Sequence, residues 1–287
     1  MKLTNILTGP KPSLSFEVFP PKTSDTFESV QKAVTEIATL SPSYMSVTYG
    51  AGGGTSAYTV QIAEDLLRQG VPSLAHLTCI SSNKENVRQM LTNLKVAGIE
   101  NILALRGDVP QGQTVENPLY RHASDLIEEI KQFDGDFCIG GACYPETHPE
   151  SVSASQDIEN LKKKVDAGCE FLTTQMFFDN DILYNFMYRA LRAGVNVPIV
   201  AGIMPVTSAA QIKRICSISG NNLPPQFLRI VDRYGDRPEA MKQAGIAFAT
   251  EQIVDLLANG INAVHVYSMN KPDVAKAIQD NVRYLIQ

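Results

Sequence analysis

"LRQGVPSLAHLTC", residues 67–79, holds the end of one element and the whole of the next. Leu67 closes a run with apolar residues at helical spacing. Gly70 follows, and glycine stops a helix because it takes the left-handed backbone conformation at little cost. From Ser73 the pattern changes to a period of two, with His76 and Thr78 on one face and Ala75 and Leu77 on the other. The same hinge returns in "KVAGI" (95–99), "VDAGC" (165–169), "LRAGV" (191–195) and "LANGI" (257–261), with Gly98, Gly168, Gly194 and Gly260 as the stops.

Eight strand candidates share this rhythm: 13–20, 44–50, 73–79, 101–108, 138–146, 171–178, 198–205 and 263–270. Eight strand–helix units in 287 residues predict an α/β fold, a (β/α)8 TIM barrel spanning residues 1–287 as a single catalytic domain. The long connection after strand 7 adds an extra helix before the last strand. An open doubly wound sheet is the alternative, but no GxGxxG follows the first strand.

Composition narrows the function. The net charge of -5 argues against a generic nucleic-acid surface, so no nucleic-acid partner is expected. No segment approaches ~20 consecutive apolar residues, so no membrane span is expected. The N-terminus lacks the apolar run of a secretory signal, and the five cysteines are scattered without a CxxC pair. They read as reduced thiols of a cytoplasmic protein. The four histidines show neither HxxxH nor HExxH, so no metal site is expected.

In "SLSFEVFP" (13–20), Leu14, Phe16 and Val18 suit the helix layer, which turns Ser15, Glu17 and Phe19 toward the barrel axis. The same alternation turns inward Ser46 and Thr48, His76 and Thr78, Thr173, Gln175 and Phe177, and His265 and Tyr267. Strands 4, 5 and 7 do not alternate cleanly. Inward polar groups thus gather near the C-terminal strand ends, where barrel enzymes carry their sites. A buried acid without a charge partner stays neutral, and a neutral acid is a usable proton donor. Glu17 is that candidate, with a structural acid as the competing reading. Asp108 ends strand 4 in "RGD" and is read equally well as a turn residue. "GAGGGT" (50–55) lets backbone N–H groups approach an anion but lacks the GK[ST] ending of a phosphate loop. "LKKKV" (161–165) is a solvated helix face or a set of lysines reaching a diphosphate.

"FEVFPPKT", "SVTYGAGGG", "HLTCI", "LALRGD", "YPETHPE", "LKKKVDAG", "TTQMFFD" and "GIMPV" occur in this order over residues 13–271. Together they resemble the flavin-dependent methylenetetrahydrofolate reductases of the short bacterial type. The resemblance implies an oxidoreductase of one-carbon metabolism. It would reduce 5,10-methylenetetrahydrofolate to 5-methyltetrahydrofolate, which supplies methyl groups for methionine synthesis. FAD is the implied cofactor, NADH or NADPH the electron donor, and the scheme ping-pong. A homo-oligomer is implied too.

By the same resemblance Glu17 is the acid and Asp108 a catalytic carboxylate beside flavin and pterin. Gln175, Gln211 and Lys271 are implied to bind substrate. The FAD positions are Tyr49, Ala51, His76, Arg106, Gly107, Asp108, Ala123, Tyr144, His148, Asp157, Asn160, Lys163 and Lys164, and Thr48 touches the nicotinamide. This chain departs from the pattern at His122, Lys163, Ile215 and Lys271, where relatives carry tyrosine, arginine, an aromatic residue and arginine. Two other readings compete: a flavin-independent barrel acting on a pterin, and a non-catalytic folate- or flavin-binding subunit.

Overall fold

A computed structural model describes residues 1–21, 23–49, 56–109, 118–212, 215 and 222–287. Eight parallel strands close into a barrel in sequence order: β1 (Ser13–Val18), β2 (Met45–Val47), β3 (Ser73–Thr78), β4 (Asn101–Leu105), β5 (Cys138–Cys143), β6 (Phe171–Thr174), β7 (Ile199–Ile203) and β8 (Ala263–Tyr267). Closure comes from the β1–β8 ladder, which pairs Ser15 with His265 and Glu17 with Tyr267.

The outer layer is formed by α2 (Phe27–Ala38), α3 (Ser56–Arg68), α4 (Lys84–Val96), α5 (Ala123–Gln132), α6 (Ala154–Asp166) and α7 (Asn180–Arg192). It continues with α8 (Pro225–Tyr234), α9 (Pro238–Ala258) and α10 (Pro272–Val282). The five predicted helix stops all have φ between 72° and 115°, so the glycines stand where other residues would be strained. The extra helix before the last strand is α8, ahead of the long α9. No helix among the described residues is long and apolar enough to cross a membrane.

The alternation of side chains builds two cores. Leu14, Phe16, Val18, Met45 and Val47 face outward into the helix layer. Inside, Tyr44, Leu74, Leu103, Cys138, Phe171, Val200 and Ala263 fill the end of the barrel where the strands begin. A helix not expected from the sequence, α1 (Leu3–Leu7), plugs that end. Leu3 is fully buried there, and its N–H donates to Asn101 Oδ1 at 2.8 Å. Asn101 Nδ2 donates onward to the carbonyls of Met1 and Ser73, both at 3.1 Å.

Phe177 corrects one expectation. β6 ends at Thr174, so the period of two has lapsed by residue 177, and its ring lies in the helix-layer core beside Leu183 and Phe186. On β7 the inward position is Gly202. A Cβ there would come within 2.5 Å of the Tyr267 hydroxyl and 2.4 Å of the Thr174 carbonyl oxygen. The small residue makes room for Tyr267 to reach over β7 and donate to that carbonyl on β6.

Leu3→Ala opens a cavity in the plug, and a truncated buried leucine costs about 2–5 kcal/mol. Urea unfolding is expected to show a loss in that range. A loss below about 0.5 kcal/mol would show that α1 only rests on the barrel end.

Candidate active site

The strand ends opposite the plug open into a cavity of about 550 Å³, a size suited to a small-molecule site. Its floor is polar. His265 is held on both ring nitrogens, by Ser15 Oγ at 2.7 Å on Nδ1 and by Ser46 Oγ at 2.9 Å on Nε2. Ser15 Oγ also lies 3.0 Å from the Val264 carbonyl, to which it donates its one proton. The proton inventory then assigns Nδ1–H of His265 as donor to Ser15, and Nε2 as acceptor from Ser46. Burial lowers the His265 pKa to about 3, so the ring is neutral.

Glu17 stands above this layer. Its side chain is 14% exposed, and its carboxyl makes no hydrogen bond among the described residues. His76 Nε2, at 3.8 Å, is its nearest basic group, and that buried atom has no hydrogen-bond partner among the described residues. Burial without compensation penalises charge on both groups. It pushes Glu17 up to about 8 and His76 down to about 3, so at neutral pH the proton sits on the carboxyl.

Most of the expected site residues line this cavity. Glu17, Thr48, His76, Arg106, Gly107, Asp108, Ala123, Tyr144, His148, Asp157, Asn160, Lys163, Lys164 and Gln175 all do so. Gly107 is sterically required, since its φ is 82° and a Cβ would lie 2.9 Å from Thr78 Cβ. Asp108 is exposed at the lip. The Arg106 guanidinium forks onto Glu150, with Nη2 to Oε1 at 2.6 Å, and this pairing holds the Glu150 carboxyl below its usual range. Tyr144 and His148 meet edge to face at 4.5 Å. Asp157 accepts from the His148 backbone N–H at 3.2 Å and from Ser151 Oγ at 2.9 Å, which pins the loop carrying His148. Lys163 is exposed at the mouth, whereas Lys164 runs inward and donates to the Ala142 carbonyl.

Three expected residues stand apart from the lining. Tyr49 packs against the helix-layer core. Gln211 and Lys271 meet at Thr207: Gln211 Oε1 accepts from the Thr207 N–H at 3.1 Å, and Lys271 Nζ donates to Thr207 Oγ1 at 2.7 Å. Ala51, with the glycine-rich 50–55 stretch, lies outside the described residues. Sequence reasoning assigned no role to His265, Tyr267, Thr173 or Glu150, all in the wall. The inward alternation marked the first three, while nothing in the sequence marked Glu150.

The pH dependence of stability follows from the Glu17 shift. Unfolded, Glu17 titrates near 4.5; folded, near 8. Between those values the native state holds the extra proton, so stability falls as pH rises, by at most about 1.4 kcal/mol per pH unit. Glu17→Gln removes this term. Its melting temperature, relative to wild type, is expected to climb from pH 4.5 to pH 8 and then level off. A difference that stays flat with pH would contradict a buried neutral acid. His76 and His265 act at the other end: unfolded they bind protons near 6.5, folded only near 3, so their contribution is lost as pH falls below 6.5.

Residues 2–283 match the family model for methylenetetrahydrofolate reductase. A 5,10-methylenetetrahydrofolate reductase of Pectobacterium carotovorum subsp. carotovorum is 36% identical, over 93% of this chain and 88% of that protein. That of Escherichia coli (strain K12) is 35% identical, over 93% and 89%. A methylenetetrahydrofolate reductase (NADH) of Arabidopsis thaliana is 35% identical over 98% of this chain, which spans 50% of the plant protein. A solved Clostridium thermocellum protein that binds two copies of 5-methyl-5,6,7,8-tetrahydrofolic acid superposes with a TM-score of 0.69. The two share 16% identity over 99% of this chain and 100% of that one, a likeness of fold.

Proposed function

The chain belongs to the methylenetetrahydrofolate reductase family, and from that premise we propose that it reduces 5,10-methylenetetrahydrofolate to 5-methyltetrahydrofolate with electrons from NADH or NADPH. The observation that carries the reading is the placement of Glu17, enclosed just above the cavity floor and facing only the His76 imidazole at 3.8 Å, where burial favours its un-ionised form.

The cavity suits a flavin. Its wall is part apolar (Leu103, Leu105, Ala142) and part polar, and two buried wall atoms, His76 Nε2 and Thr173 Oγ1, have no hydrogen-bond partner among the described residues. A flat ring with polar edges would satisfy both. Lys163 and Arg106 at the mouth would meet a diphosphate, and Tyr144, His148 and Asn160 would flank it. Bound there, FAD supplies the hydride chemistry that links nicotinamide and folate in ping-pong half-reactions.

The chain's own groups do the rest. Glu17 gives its proton to the folate nitrogen as the C–N bond of the five-membered ring breaks, leaving a cationic iminium on the methylene carbon. A carboxylate at Asp108 stabilises that cation. Gln175 offers a carboxamide to the pterin. Lys271 and Gln211, joined through Thr207, bind the outer part of the folate, with Lys271 as a point charge toward a carboxylate. The product would serve as a methyl donor, made by an assembly of identical chains.

Anaerobic absorption spectroscopy tests this. The flavin band is expected to bleach with NADH and to return on adding methylenetetrahydrofolate. In Glu17→Gln the bleaching persists, while the return slows by about 100-fold or more. Normal rates for both steps would remove Glu17 as the acid. A protein that cannot be loaded with FAD would overturn the flavin reading.

A further inference from the structure

The strand that carries Glu17 ends abruptly. Ladder pairing to β8 stops at Glu17–Tyr267, and pairing to β2 stops at Val18–Val47. Pro20 and Pro21 follow, and neither can donate a hydrogen bond. The Phe19 peptide groups are therefore left without a ladder partner just beyond the acid.

The loop after β8 fills that gap. Asn270 Oδ1 accepts from the Phe19 N–H at 2.9 Å, and Asn270 Nδ2 donates to the Phe19 carbonyl at 3.0 Å. One carboxamide thus reproduces the donor and acceptor of a missing strand residue. Ser268 Oγ donates to the Glu17 carbonyl at 2.7 Å. The loop reaches this position through two consecutive left-handed residues, Met269 at φ 55° and Asn270 at φ 52°. Asparagine tolerates that conformation better than most residues; for methionine it is uncommon. Lys271 comes next, and its ammonium is tied to Thr207 Oγ1.

We propose that Asn270, seconded by Ser268, is a positioning residue for the proton donor: it holds the end of β1 so that the Glu17 carboxyl sits where the folate ring opens. It touches no substrate. Because Lys271 is the adjacent residue, the same short loop fixes the distance between the proton donor and the cation on the folate's outer part. The inference rests on the reading of Glu17 as the acid.

Asn270→Ala tests it, with Glu17→Gln alongside. Without the carboxamide, the folate half-reaction is expected to slow by about 10- to 100-fold, as displacements near 1 Å do. The loss falls on the rate constant more than on KM, and flavin reduction by NADH stays within about twofold of wild type. In the protein without added ligands, amide exchange at Phe19 accelerates at least about 10-fold, while Leu14 and Phe16 stay protected. Asn270→Asp keeps the acceptor and loses the donor, so it is expected to fall between the two; it also serves if the alanine variant does not fold. Equal losses in both half-reactions would mark a merely structural residue and overturn the proposal. So would an unchanged folate rate in Asn270→Ala when Glu17→Gln, measured alongside, has slowed it. If Glu17→Gln itself leaves folate reduction intact, the reading of the acid fails first.

Discussion

Closure of the eight-stranded sheet is the constraint from which the site follows. Once β1 pairs with β8, every inward side chain must be packed or hydrogen-bonded, because no solvent-facing edge remains. The barrel meets this demand differently along its axis. Where the strands begin, Leu3, Tyr44, Leu74 and Phe171 fill the space with apolar volume. In the middle, Ser15, Ser46 and His265 satisfy one another. Where the strands end, the demand is not fully met: Glu17, His76 and Thr173 are enclosed, yet the Nε2 of His76 and the Oγ1 of Thr173 have no partner among the described residues.

That unmet layer sets the protonation of the site. A carboxyl placed on the surface would ionise and keep no proton at neutral pH. Here the same burial that raises Glu17 depresses His76, so the neighbour does not take the proton away. The charged groups stand higher, at the mouth, where Arg106, Asp108, Glu150 and Lys163 are partly or fully exposed. A neutral layer at the strand ends is thus separated from a charged rim of both signs, in which Arg106 is paired with Glu150.

Much of this was legible in the sequence because it depends on period and punctuation. The glycines at 70, 98, 168, 194 and 260 are required by backbone conformation, so they announce the helix ends directly. Glu17, His76 and His265 were placed inward because their strands alternate with apolar neighbours. β5 and β7 stayed silent because Gly140 and Gly202 carry no side chain to mark a face, and β4 because Ile102, Leu103, Ala104 and Leu105 are apolar on both faces. Phe177 departs from the period because a strand's length is set by its partners in the sheet, which local sequence does not record. The α1 plug is too short to display a helical period. Asn270 acts through its carboxamide on a residue far along the chain, and no local pattern announces such a contact.

The chemistry of the site depends on Glu17 staying protonated inside the folded protein at neutral pH. Infrared difference spectroscopy of wild type against Glu17→Gln addresses it directly, through the carbonyl stretch of an un-ionised carboxylic acid. The structure predicts such a band at pH 6, absent in the variant, fading with a midpoint near pH 8. No band at pH 6, or one that has already faded near 4.5, would mean that the carboxyl is ionised and that the proton comes from elsewhere.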